Sequence, residues 1–427
     1  MQLKVDFAFP RLNRQVWMAA TGVVVVVYLL DFFTPFRLTN DTVRYFALLE
    51  QRLGTWPASF GSSNDFLPYG YVFFLEGLAR LHILTPFTIA LCQLLYLGGS
   101  LYFIKKLFGT SINTWLFACL TLLNWTTIKL VMTPLSELQF LFFTSAALYS
   151  YHRFLHNKRP AQLVLTVVLC LIAFVTRTAG IVLIAALLLS FLVSHRQALT
   201  GGLRQRPLMS GLVLITLLAG LALLVTRPKF ITYLGYFWRP LATDGGSFFA
   251  GNLRLHAMDL AELFINTPYS KVAWLIAPSV AGAVYLVTGL LFLGILIWCL
   301  IKHRTRIPLF ISFYLVLYLL LIFNWPFFEA RFFFPILPFM LAVYLQHLGQ
   351  SSIFQRRLAA VYLTGYVLMG VFVMAYYSRL SYDRDFMKQR HDAGIWEKEY
   401  DYLFSGRAVD DGVTVNQKAL YILRKYN

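Results

Sequence analysis

The thirty residues 272–301, VAWLIAPSVAGAVYLVTGLLFLGILIWCLI, contain no Asp, Glu, Lys or Arg. A helix rising ~1.5 Å per residue would carry such a run beyond the ~30 Å hydrocarbon core of a bilayer. Ten more charge-free runs lie outward from it, at 16–30, 81–104, 107–128, 138–152, 160–176, 178–195, 207–226, 307–328, 332–355 and 358–378. A transmembrane helix needs ~20 apolar residues, within a range of ~17–25. The 15-residue runs 16–30 and 138–152 therefore span only if Asp31 and Glu137 sit at the membrane edge. Only Arg177 separates 160–176 from 178–195, and the pair is too long for one helix, which predicts a tight turn at Thr176–Gly180. The expected fold class is an all-α polytopic membrane protein with about eleven transmembrane helices.

Composition agrees with that reading. The 427 residues are 59% hydrophobic and 13% charged, where soluble domains carry about 25% charged residues. The mean hydropathy is +0.65. These values exclude an ordinary soluble globule and a disordered chain. Cys92, Cys119, Cys170 and Cys299 all sit in apolar runs without a CxxC pair, so neither a disulfide framework nor a zinc site is implied.

The net charge is +18, an excess that in a soluble protein would suggest nucleic acid. Topology gives it another meaning. With a cytoplasmic N-terminus, the inside segments hold Lys4, Arg11, Arg14, Lys105, Lys106, Arg153, Lys158, Arg159, Arg196, Arg204, Arg206, Lys302, Arg304, Arg306, Arg356 and Arg357. Sixteen of the 37 basic residues thus face one acid, Asp6, and the remaining 21 bases and 18 acids nearly balance outside. This is the positive-inside pattern. It predicts N-in, C-out, with no nucleic-acid partner. The organisation expected is a transmembrane module over 1–378 with outer loops at 31–80 and 227–271, followed by a small charged tail at 379–427. In the first outer loop, stretches starting at Asn40 and Tyr69 read as interfacial helices; in the tail, Val413–Val415 reads as a strand and Lys418–Lys425 as a helix.

With so few charges, those at the outer ends of the runs need an explanation. Asp41 reads as a helix N-cap and equally as a general base or metal ligand. Asp65, ahead of Pro68, carries the same two readings. Glu137 follows Pro134 at a helix start, where an acid suits the helix dipole or faces an outer cavity. Arg177 suits either bidentate phosphate contact or snorkelling to headgroups. Glu329 and Arg331 lie in Asn324-Trp325-Pro326-Phe327-Phe328-Glu329-Ala330-Arg331-Phe332, an acid–base pair inside an aromatic run, with Lys129 on the same outer side.

Four pieces in this order resemble the GT-C superfamily of integral-membrane glycosyltransferases, which includes protein O-mannosyltransferases and aminoarabinose transferases of lipid A. Asp41-Thr42-Val43-Arg44-Tyr45 is similar to the acidic first-loop motif. Phe66-Leu67-Pro68-Tyr69-Gly70-Tyr71 resembles the Pro-aromatic juxtamembrane helix, Leu135-Ser136-Glu137 the Ser-Glu helix start, and Glu329-Ala330-Arg331-Phe332 with Pro335 and Pro338 the late arginine motif. The resemblance covers about residues 15–350. Many members show two adjacent acids where this chain has Asp41 between Asn40 and Thr42.

What the resemblance implies is inverting transfer of a sugar from a polyprenyl-phosphate-linked donor to a glycan, lipid or protein acceptor at the outer face. Asp41 would be the base. Arg331, Arg177 and Lys129, with Glu137, Glu329, Tyr45 and Asp65, would form the lipid-phosphate site, and a divalent cation, Mg or Mn, at Asp41 is left open. The setting expected is a bacterial cytoplasmic membrane with the site facing outward. Two alternatives stand beside it, a polysaccharide polymerase or ligase using lipid-linked sugars and a lipid or solute transporter without chemistry. The first would place its main loop late in the chain. The second would show repeats and helices broken at mid-depth.

Overall fold

The computed structural model describes residues 14–62, 67–194, 245–406 and 414–427, with Gly220, Gly235 and Thr243 besides. Among them there is no strand; the elements are α-helices and short 3-10 turns. The run at 207–226, most of the second outer loop before Gly245, Asp65 and Val413 lie outside the described residues.

Each charge-free run that is described contains helix. The first is α1 (Arg14–Asp31), and the first outer loop then supplies α2 (Asn40–Leu53) and α3 (Gly70–Arg80). Next come α4 (Pro86–Phe108), α5 (Thr114–Leu122), α6 (Trp125–Met132) and α7 (Glu137–Asn157). The expected turn at 176–180 separates α8 (Pro160–Thr176) from α9 (Gly180–Ser194). The 227–271 segment ends in α10 (Gly246–Ile265) and the start of α11 (Tyr269–Leu275), and α12 (Pro278–Lys302) and α13 (Leu309–Phe323) follow. A 3-10 segment, Ala330–Ile336, leads into α14 (Leu337–Leu348), and the long α15 (Ile353–Tyr382) ends the bundle. The tail adds α16 (Arg384–Arg390), α17 (Glu397–Ser405) and α18 (Gln417–Tyr426). Thr414–Asn416 is irregular, so the described part of the expected strand is absent.

Five helical segments are long and apolar enough to cross a membrane, six if α5 and α6 form one broken span. Shorter apolar helices, α8, α9 and α13, accompany them. The figure of eleven spans is not reproduced by length and composition. The run 107–128 is also not one straight helix, because α5 and α6 bend by 68° at Leu123-Asn124. The break is built from two buried asparagines. Asn124 caps α6 by accepting from the Thr126 N–H and donates to Leu263 O and the Tyr366 hydroxyl. Asn266 accepts from the Trp125 N–H at 2.7 Å and donates to Leu123 O at 3.0 Å. Non-helical backbone at such depth is tolerated only where protein satisfies it. Hydropathy reads Asn124 as one polar residue in an apolar run and does not register the kink.

The bundle has two chemically different ends. At one end His303 Nε2 lies 2.9 Å from His347 Nδ1, beside the basic segment after α12. At the other, Ser378 of α15 donates to Asp31 at the end of α1 at 2.7 Å. First and last spans that end together run the same way, which requires an odd number of crossings. Large apolar side chains on α1, α8, α12 and α15, such as Val23, Val164, Val287 and Val361, remain exposed, as a lipid-facing surface requires. α10 lies against α12 at closest approach, where a Cβ on Gly289 would collide with the carbonyl of Ala257. Gly289→Ala is expected to destabilise the detergent-solubilised protein by ~1–3 kcal/mol through overpacking, read as a lower thermal midpoint.

The tail clamps the first outer loop. Glu50 of α2 is fully buried and pairs with Lys425 at 2.5 Å. Asn427 accepts from the Phe36 N–H at 2.8 Å, and Arg37, buried, donates to Tyr377 O and to Ser381. His391 Nε2–H donates to Leu38 O at 2.7 Å. Burial, reinforced by Arg37, pushes the His391 imidazole down to about 3. Its unfolded value is ~6.5. Stability from this contact is therefore present above ~6.5 and is lost as pH falls toward about 3. Acidification through that window is expected to expose the tail to protease, with a weaker pH slope in His391→Gln, whose amide still donates to Leu38 O.

Candidate active site

Local sequence sets where each charged group stands. Thr39, not Asp41, is the N-cap of α2, since its side chain accepts from the Thr42 N–H. Asp41 is thus released from capping and sits in the first turn with its carboxylate free to point away from the helix. Pro134 is likewise not at the start of α7; Ser136 is the N-cap position and Glu137 the first helical residue. Arg177 follows α8 in extended conformation, at the turn the sequence predicts. Gly70 lets the start of α3 approach the end of α8, where a Cβ would lie 2.7 Å from Thr176 backbone atoms.

Packing then joins these helix ends into one charge network. Arg331 Nη2 donates to Asp41 Oδ2 at 2.6 Å and its Nε donates to Glu329 Oε2 at 2.6 Å. The other oxygen of Asp41 accepts from Arg44 Nη1 at 3.1 Å. Glu137, 1% exposed, lies 2.6 Å from Arg177 Nη1 and 3.7 Å from Arg331 Nη1. Tyr45 and Arg177 both donate to Ser136 Oγ, at 2.9 and 3.2 Å. Lys129 Nζ stands 3.6 Å from Glu329 Oε1. Seven of the eight sequence-nominated residues therefore share one network, and the eighth, Asp65, is outside the described residues.

The network borders a cavity of about 490 Å³. Its lining combines Asp41, Arg44, Tyr45, Arg177, Glu329 and Arg331 with the apolar and aromatic Ile181, Leu321, Trp325, Phe327, Phe328 and Phe332. The Arg331 and Arg177 guanidiniums lie 5.2 and 6.0 Å from the Phe332 ring. Glu137 and Lys129 are not among the lining residues and act from behind them.

Electrostatics fix the state of Asp41. Burial alone would raise its carboxyl, but Arg331, with Arg44 and Arg177, outweighs burial and holds it below the usual carboxylate range. Asp41 is an ionised, weakly basic carboxylate. The donor set does not suit a divalent cation as arranged, because each Asp41 oxygen faces a guanidinium. Among the described residues no three His, Cys, Asp or Glu side chains converge on a metal position.

Four residues of this site carry no role in the sequence reading. Arg44 lies at i+3 from Asp41, a spacing that puts two side chains on one helix face. Ser136 stands inside a quoted motif. His256 and Asp259, also i and i+3, lie on α10 in the second outer loop, where nothing local marks them.

The helices and the exposed apolar surface define an all-helical integral membrane protein with a charged, half-apolar cavity at one end of the bundle. No protein-family model and no curated protein matches the sequence. Among solved structures, the chain is similar to ArnT from Cupriavidus metallidurans in the apo state, at 15% identity and a TM-score of 0.40, over 96% of this chain and 84% of that one. At that level of likeness the functional argument rests on the geometry of the site.

Proposed function

We propose that the protein is a GT-C-like membrane glycosyltransferase that moves a sugar from a polyprenyl-phosphate-linked donor to an acceptor hydroxyl at the outer face, with inversion. The observation that carries this reading is the cavity itself, whose lining combines carboxylates and guanidiniums with aromatic and apolar side chains. An amphiphile with an anionic head and a hydrocarbon tail suits such a lining.

In this reading the acceptor oxygen attacks the anomeric carbon as the bond from that carbon to the phosphate oxygen breaks. The acceptor proton passes to Asp41, and the departing phosphate keeps the electron pair. Arg331 and Arg177 hold the negative charge that develops on it. Arg331 and Arg177 both line the cavity and so present guanidiniums to a phosphate bound there. A weak base such as Asp41 accepts the proton late, after much of the sugar–phosphate bond has broken, which suits an oxocarbenium-like transition state.

The test is turnover of synthetic polyprenyl-phosphate sugars by the purified protein in vesicles, with released polyprenyl phosphate and sugar product both measured. Transport of the intact donor across the vesicle without cleavage would remove the enzyme reading. The outer-face assignment is checked by a reporter on Asn427, expected to be extracytoplasmic.

A further inference from the structure

α10 holds the loop that carries Glu329 and Arg331. His256 Nε2 lies 2.7 Å from Trp325 O, and Asn252 donates to the same carbonyl at 3.4 Å. His256 and Asn252, on adjacent turns of α10, thus pin the Trp325 end of the loop. Asp259 stands one turn further along α10, on the same helix face as His256. The pinning has a proton requirement. A carbonyl oxygen can only accept, so His256 Nε2 bears hydrogen. Nδ1, on the far side of a fully buried ring, then faces Asp259 Oδ2 at 3.3 Å. Neither atom has another hydrogen-bond partner. In a neutral imidazole protonated at Nε2, Nδ1 is a bare acceptor, and an ionised Asp259 sets a second bare acceptor against it. Two buried acceptors in that geometry repel, and one added proton turns the contact into a hydrogen bond.

We propose that His256 and Asp259 share a single proton and that this proton fixes the 325–331 loop, making the two a positioning pair for Arg331. The inference deepens the transferase reading and rests on it for the part that concerns Arg331. The surroundings favour keeping the proton. Glu329 on the loop raises the Asp259 carboxyl, while Glu262 on the same helix is itself pushed up to about 8 by burial; the cations nearby are Lys129 from α6 and Arg331, both paired with Glu329. α13, the loop and the 3-10 segment present the rings of Phe323, Phe328 and Phe333 to His256, and α12 presents Tyr285 toward Glu262. Burial also pushes the Asp259 carboxyl up. A carboxyl raised on folding favours the folded state at low pH and loses that contribution as pH rises through its folded value. The pair is therefore expected to lose its proton, and the loop its anchor, on the alkaline side.

Asp259→Asn separates this from a plain structural contact. Its NH₂ donates to Nδ1 with no proton to lose. Asp259→Ala removes the contact. The experiment follows the thermal unfolding midpoint and transfer from a synthetic polyprenyl-phosphate sugar between pH 6 and pH 10, in wild type and both variants. Wild type is expected to show an alkaline fall in both readouts. Asp259→Asn should lack it, and should recover most of an about tenfold to hundredfold loss of kcat/KM in Asp259→Ala. The same alkaline fall in Asp259→Asn as in wild type, or an unimpaired Asp259→Ala, would overturn the proposal. If wild type transfers nothing at any pH but its midpoint shows the limb that Asp259→Asn lacks, the transferase reading fails and the shared proton stands.

Discussion

Asp41→Asn is expected to lower kcat for sugar transfer by about 10²–10⁴, the usual contribution of a positioned base, while KM for the donor stays the same or falls. The two effects divide because of the charge around Asp41. Its carboxylate is held by Arg331 at 2.6 Å and Arg44 at 3.1 Å. Asparagine has nearly the same shape but no charge, so the site becomes more positive and an anionic donor is bound at least as well. The acceptor proton, however, loses its destination. The α2 cap is untouched, because Thr39 rather than Asp41 provides it, but the charge facing Arg331 is lost, so the thermal midpoint is expected to fall and is measured beside turnover. Full turnover in Asp41→Asn would defeat the base assignment, and a rise in donor KM without loss of kcat would recast Asp41 as a binding residue. The pH profile adds an independent readout. Since Arg331, Arg44 and Arg177 hold the carboxyl below its usual range despite burial, the acid limb of kcat/KM in wild type should lie below ordinary carboxylate titration.

Arg331→Ala is expected to be the more damaging change. It removes the cation shared by Asp41, Glu329 and Glu137, leaving three acids at the site against Arg44, Arg177 and Lys129. Removing one partner of a buried ion pair costs about 3–5 kcal/mol; Glu329 is 37% exposed, so the lower end applies. In transfer, losing a donor aimed at developing charge costs about 10²–10³ in kcat. Because the alanine variant is expected to lose stability too, Arg331→Lys carries the argument. It keeps the charge but cannot bridge Asp41 and Glu329 through separate nitrogens of one rigid plane. Its acid limb should shift upward, toward the ordinary carboxylate range, as Asp41 loses part of its strongest cationic partner. An unshifted limb with unchanged kcat would mean that Arg331 is a structural tie only.

The site was legible in outline because charge is expensive next to lipid. In a chain with 13% charged residues, Asp41, Glu137, Arg177, Glu329 and Arg331 stood out by position alone. Their partners did not stand out in the same way. Arg44 and Ser136 lay inside quoted motifs without a role, and the His256–Asp259 pair sat in an outer loop that charge patterning treats as background.

Hydropathy and the positive-inside bias accumulate residue by residue, so they needed no knowledge of packing. They sufficed for an all-helical membrane chain and for the turn at 176–180. What packing alone decided is which charges meet. Asp41 and Arg331 are 290 residues apart, and their 2.6 Å contact depends on how α2 and the 3-10 segment are rotated against each other. The cap at Thr39, the 68° break at Asn124 and the paired acceptors of His256 and Asp259 arise in the same way. Local spacing specifies the face on which a side chain lies, whereas the partner across the interface is selected by the joint packing of several helices, which no short stretch of the chain contains.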